Sequence, residues 1–207
     1  MVENATLEAV EALKKRDTEL AQRVYNGDRE INAKRFEIEN ECIITIATQQ
    51  PIMASDLHLL ASILWVTSEI VRIGDYAKGI ANICLQTDSQ PLAKPLTDIP
   101  HMAKNAVDML HRGVDAFVTK DAKHASLIPL EDDKVHNLYK QVYRELVTIM
   151  FADSSSIDRA NYLMWAAHNL ERLADRVTNI CERTTYIATG EMEEIDVSND
   201  GVQYLRG

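Results

Sequence analysis

Residues 130–189 contain neither glycine nor proline. A sheet built over such a length needs a turn every few residues, and turns draw on exactly those two residue types, so the stretch predicts helix. The rest of the chain is punctuated sparsely. Breaks are expected at Asn26-Gly27, at Gln50-Pro51, in the tract 88–100, near Ile128-Pro129 and around Asp153. An all-α fold follows, with six helices near 3–25, 28–49, 55–87, 101–124, 131–151 and 156–189. Asp28, Ser55 and Ser155 or Ser156 are the expected N-caps. At about 1.5 Å rise per residue the third and sixth helices each run roughly 50 Å. Segment 191–207 is acidic and poor in apolar groups, and reads as a loose tail.

Helix lengths repeat as medium, medium, long on either side of the proline-containing tract, which suggests an internal duplication. Sliding the chain by one hundred residues puts Trp65 on Trp165, Arg72 on Arg172, Asp75 on Asp175 and Ile80 on Ile180. Leu64, Ile70 and Ile73 fall on Met164, Leu170 and Leu173. The second helices match at a slightly different offset, Asp28 on Asp132, Ile31 on Val135 and Glu41 on Glu145. Amphipathicity does not explain shared Trp, Arg and Asp at one offset. The chain therefore reads as two homologous three-helix units, 1–90 and 101–190, followed by the tail 191–207.

Composition excludes several classes. A net charge of −10 disfavours nucleic acid and anionic lipid, and suits cations or basic partners. The longest apolar stretch, LHLLASILWV, is interrupted by His58 and Ser62 and is shorter than the roughly 20 residues of a membrane span. The charged N-terminus does not resemble a signal peptide. A cytoplasmic location is expected. Cys42, Cys84 and Cys181 lie far apart with no C-x-x-C, so they are expected to be reduced and buried.

The last helix sorts its charges. With Leu170 at zero on an ideal wheel, Leu163, Ala166, Ala167, Leu173, Ala174, Val177 and Cys181 fall within about 60° and predict the buried stripe. Glu171, Asp175, Thr178 and Glu182 cluster near 80–140°, roughly, and Arg172, Arg176 and Arg183 near about 200–240°. Glu171 and Asp175, one turn apart, repel each other by a few tenths of a kcal/mol, roughly, unless a positive charge sits between them. Arg172 and Arg176 on a wet face serve this purpose; so does a cation site. Oxygen ligands of this kind suit Mg, Ca, Mn or oxidised iron rather than zinc.

Glu171-Arg172-Leu173-Ala174-Asp175, followed by Asn179-Ile180, resembles the E-R-x-x-D-x-x-x-N-I signature of the PhoU family, and Arg72-Ile73-Gly74-Asp75 resembles its first copy. QQPIMASDLHLL and INAKRFEIENEC are similar to other family segments. The resemblance spans nearly the whole chain. It implies two tandem three-helix bundles and a non-enzymatic negative regulator that links a phosphate ABC transporter to a sensor histidine kinase. It also implies partners in the transporter's ATPase subunit and that kinase, a homodimer, and metal held by E/D-x-x-x-D motifs, with iron foremost and Mg, Mn or Ca as alternatives. Carried over by position, the ligands are Glu171, Asp175 and Asn179 in the second copy and Asp75 in the first. The first copy is damaged, with Val71 opposite Glu171 and Gly79 opposite Asn179. Glu69 is no substitute, since it projects about 120° from Asp75. One intact and one impaired site are expected.

Competing constellations are weaker. Asp108/His111, Asp121/His124 and Asp133/His136 are spaced D-x-x-H, but a di-iron oxidase bundle needs E-x-x-H on two helices, and the chain has none. These pairs read as coincidental surface spacings. No nucleophile elbow or glycine-rich phosphate loop is present. The alternative function is a metal-independent helical adaptor. Trp65 and Trp165 then matter: they are expected to fill the core, and become partner anchors only if exposed.

Overall fold

Arg16 and Asp17 make the first corner of the chain. Arg16 adopts the left-handed conformation and its backbone N–H bonds the Ala12 carbonyl, closing α1 (Val2–Lys15). Asp17 then accepts from the Leu20 backbone N–H and starts α2 (Thr18–Thr48). The expected break at Asn26-Gly27 is not there. Gly27 lies inside α2, facing open space, where glycine costs the helix only about 1 kcal/mol. Asp28, expected as an N-cap, is a buried residue within α2.

In the computed structural model the described residues are 1–87, 92–94 and 96–190, so the expected acidic tail lies outside them. After α2 come α3 (Ala54–Gln86) and α4 (Asp98–Thr119). A four-residue α5 (Ala122–Ala125) precedes α6 (Asp132–Ala152) and α7 (Ile157–Thr189). No strand occurs among the described residues. α3 follows Met53, which makes no side-chain cap, so Ser55 is not its N-cap. α4 ends earlier than expected because Lys120 turns left-handed, and Asp121 caps α5 by accepting from the His124 backbone N–H. The Asp121/His124 spacing is thus a helix cap. Ser156 precedes α7 without a side-chain capping bond, its hydroxyl donating instead to the Asp153 carbonyl at 2.7 Å, while Asp153 accepts from the Ser155 N–H in the preceding turn.

The stripe read from α7 is the centre of the molecule. Leu163, Ala166, Ala167, Leu170, Leu173, Ala174, Val177 and Cys181 are all at most 1% exposed. α7 packs against α3, α4 and α6, while α1 bridges α3 and α4. One continuous apolar core results, with residues of both repeats in it. α4 and α7 pack tightly at Gly113, where a Cβ would come within 3.0 Å of Val177 Cγ1. α3 alone among the described helices has the length and apolar composition of a membrane span, but its apolar face is covered by α1, α2 and α7. Beyond Ile31, α2 buries only Cys42, and Ile43 and Ile44 lie exposed.

All three cysteines are buried thiols outside any disulfide, and burial pushes the Cys181 thiol up to about 12. Because the thiolate is the reactive form, the folded protein is expected to give no fast reaction with Ellman's reagent at pH 8, and all three thiols in guanidinium. A fast native reaction would contradict the packing. The tryptophans divide. Trp65 is half-buried beneath the Arg183 guanidinium at 4.4 Å, whereas Trp165 is 60% exposed, contrary to its expected place in the core.

Candidate functional site

The two charged ridges of α7 face different helices. The arginine ridge meets α3. Arg176 donates to Glu69 Oε2 at 3.2 Å and to the Tyr76 hydroxyl at 3.3 Å. Arg183 lies over the Trp65 ring, and Arg72 comes within 3.7 Å of the buried Glu69. Asn179 joins this cluster rather than the acids, its amide nitrogen donating to Glu69 Oε2 at 3.1 Å. On the wheel it sits at about 180°, between the ridges, and the buried carboxylate of α3 draws it over. Glu69, set aside on direction alone, ties the two repeats together.

The acidic ridge meets the start of α6. Glu131 accepts from Arg112 at 2.8 Å and Lys134 at 2.9 Å, and these cations hold its carboxyl down at about 2. This clamp fixes the turn from which α6 begins, and so sets Asp132 and His136 opposite Glu171 and Asp175. His136 Nδ1 stands 3.6 Å from Glu171 Oε1, and His168 Nδ1 3.4 Å from Oε2. Arg172 reaches Asp175 at 3.2 Å from the solvent side. Asp132 Oδ1 is buried without a hydrogen-bond partner. Burial first, then the charges of Asp175 and Glu171, push the Asp132 carboxyl up to about 6, with His136 opposing. A helix N-terminus ordinarily favours a carboxylate, so the upward shift shows that burial, with crowding by the neighbouring acids, outweighs that preference.

Among the described residues no three Asp, Glu, His or Cys side chains converge on one point closely enough to ligate a single ion as they stand. The donor chemistry nevertheless suits a hard cation: three carboxylates from two helices, one with an orphaned oxygen, and two imidazoles beside Glu171. Three of these groups are not singled out from sequence as ligands. Asp132 is visible only as the residue that the duplication aligns with Asp28, His136 belongs to a D-x-x-H spacing read as coincidental, and His168 falls in no motif.

Asp75 stands in a different setting. It faces Asp28, whose Oδ2 receives the Lys78 ammonium at 2.8 Å and the Asn32 amide at 3.2 Å. Val71, in the place of Glu171, is buried and lines an apolar cleft of about 440 Å³ with Ile31, Ile70 and Leu110. At the Val71 position itself a cation would find no carboxylate.

Comparison with known proteins accounts for this arrangement. The PhoU domain matches residues 1–84 and again 99–184. The phosphate-specific transport system accessory protein PhoU of Escherichia coli is 36% identical over 92% of this chain and 79% of its own length. The homologue from Clostridium acetobutylicum is 32% identical over 95% of this chain and 90% of its own. The crystal structure of PhoU from Pseudomonas aeruginosa superposes with a TM-score of 0.86 at 34% identity, covering 92% of this chain and 91% of that one. The twofold domain match and the repeated helices are one duplication read in two ways, and the chain belongs to the PhoU family.

Proposed function

We propose that this chain is a regulatory accessory protein of a phosphate transport system and that it holds a hard metal ion between α6 and α7. The observation that carries the metal reading is the half-buried, mutually repelling set Asp132, Glu171 and Asp175, with an oxygen of Asp132 left unpartnered. Asp132, Glu171 and Asp175 would hold the ion, with His136 or His168 beside them. When bound, a divalent or trivalent ion supplies the positive charge that these acids lack, and Asn179 stays with Glu69. Iron is the first candidate, and Mn, Mg or Ca are alternatives on the same oxygen chemistry. The protein then works at the cytoplasmic side, as a homodimer. It meets the transporter's ATPase subunit and a sensor histidine kinase, and represses phosphate-starvation genes when phosphate is plentiful. This reading rests on the family membership and on the names of its relatives.

Metal analysis by mass spectrometry tests the site. Wild type is expected to retain metal, and Asp132→Asn with Glu171→Gln to lose it by roughly tenfold or more. Equal content in both proteins would end the proposal. In a deletion strain, starvation genes are expected to be expressed in high phosphate and to be silenced by the wild-type chain. A second reading, a metal-independent adaptor, draws on the exposed apolar residues Ile43, Ile44, Met53 and Leu57 around the α2 to α3 turn. Partner capture unchanged by a chelator would favour it.

A further inference from the structure

The duplication aligns two polar clusters of opposite charge balance. Asp28 corresponds to Asp132, Asn32 to His136, Val71 to Glu171, Asp75 to Asp175 and Lys78 to Thr178. In the second repeat the charges bearing on Asp132 are three carboxylates and one histidine. In the first, one carboxylate, Asp28, and three cations, Lys78, Arg35 and Arg72, bear on Asp75. Lys78 is the best placed of these. Its ammonium lies 2.8 Å from Asp28 Oδ2 and 5.1 Å from the centre of the Tyr25 ring, so a carboxylate and an aromatic face hold it from two sides. The position equivalent to Tyr25 is Pro129, and Thr178 carries no charge, so the second repeat keeps the carboxylate, Asp132, but has neither the aromatic face nor the ammonium.

We propose that Lys78 is the resident cation of the first repeat: its ammonium takes the place that a metal ion takes in the second, and it restricts metal loading to Asp132, Glu171 and Asp175. This rests on the metal reading of the second repeat. The absence of an acid at Val71 and the presence of a base at Lys78 are then two halves of one exchange, in which the ammonium neutralises Asp28 through Oδ2 while its Oδ1, like that of Asp132, has no hydrogen-bond partner. An ammonium ion on a flexible stem suits this role, because it brings one charge and three donors to carboxylates that a divalent ion would otherwise bridge.

The experiment uses Mn²⁺ as the probe, on full-length protein stripped with chelator, dialysed against the ion and analysed for bound metal. In the background Asp132→Asn with Glu171→Gln, no Mn²⁺ above the chelated control is expected. Adding Val71→Glu and Lys78→Thr to that background is expected to raise bound Mn²⁺ at least tenfold. Two results would overturn the proposal: a background protein that holds Mn²⁺ through Asp28 with Lys78 intact, or a folded four-fold variant that gains none. Failure of the second-repeat reading shows elsewhere, as wild type holding no more Mn²⁺ than the background. Should the four-fold variant not fold, metal-free melting decides. Lys78→Met is expected to lower Tm by about 4–8 °C, and Asp28→Asn with Lys78→Met to recover most of it. Additive losses would mean that Lys78 does not neutralise Asp28, and would overturn the proposal.

Discussion

Glu69→Ala is expected to lower the unfolding free energy by about 3–5 kcal/mol, as measured by urea denaturation followed by circular dichroism. Glu69 is 4% exposed, and its carboxylate receives Arg176 at 3.2 Å and Asn179 at 3.1 Å. Removing it leaves a guanidinium and an amide facing a void, and the cost is dominated by those stranded groups rather than by the lost attraction. Glu69→Gln is therefore expected to cost less, because an acceptor oxygen is kept. Replacing both Glu69 and Arg176 with methionine is expected to recover most of the loss, since no buried charge is then uncompensated. A loss below about 1 kcal/mol for Glu69→Ala would show that water reaches the pair freely and that the seam between α3 and α7 is not electrostatic.

Leu173→Ala is expected to cost about 2–5 kcal/mol, toward the upper end because the site cannot collapse. Leu173 is fully buried in the core to which both repeats contribute. In a chain of 207 residues this corresponds to a fall in Tm of about 5–15 °C. The transition is expected to stay single when followed by calorimetry and by far-ultraviolet dichroism. Two resolved transitions would mean that the repeats unfold separately, contrary to the shared core.

The long helices were legible because their evidence is periodic. The expected third and sixth helices differ from α3 and α7 by about one residue at each end, and the apolar stripe of α7 was read without error. The first corner was misplaced for a local reason. Asn-Gly is a strong turn signal, but at 26–27 it lies on an open helix face, while the real stop depends on Arg16 adopting a left-handed conformation that no residue type announces. Trp165 was misplaced because aromatics at helical spacing usually pack, whereas of the two tryptophans only Trp65 has Arg183 against its ring. At the candidate site, Glu171 and Asp175 were visible from spacing on one helix. Asp132 and His136 were not, since they come from another helix whose start is set by the clamp of Arg112 and Lys134 on Glu131. Lys78 was not legible because its partners, Asp28 and Tyr25, are brought to it by another helix, α2.

α2 beyond Ile31 gives the interior only Cys42. Substitutions along that half therefore meet few packing constraints, and its outward side chains are free to drift or to be selected at little cost to stability. A lineage can rewrite this surface to suit a different neighbour while the buried stripe of α7 stays fixed, so recognition and architecture are able to evolve at separate rates.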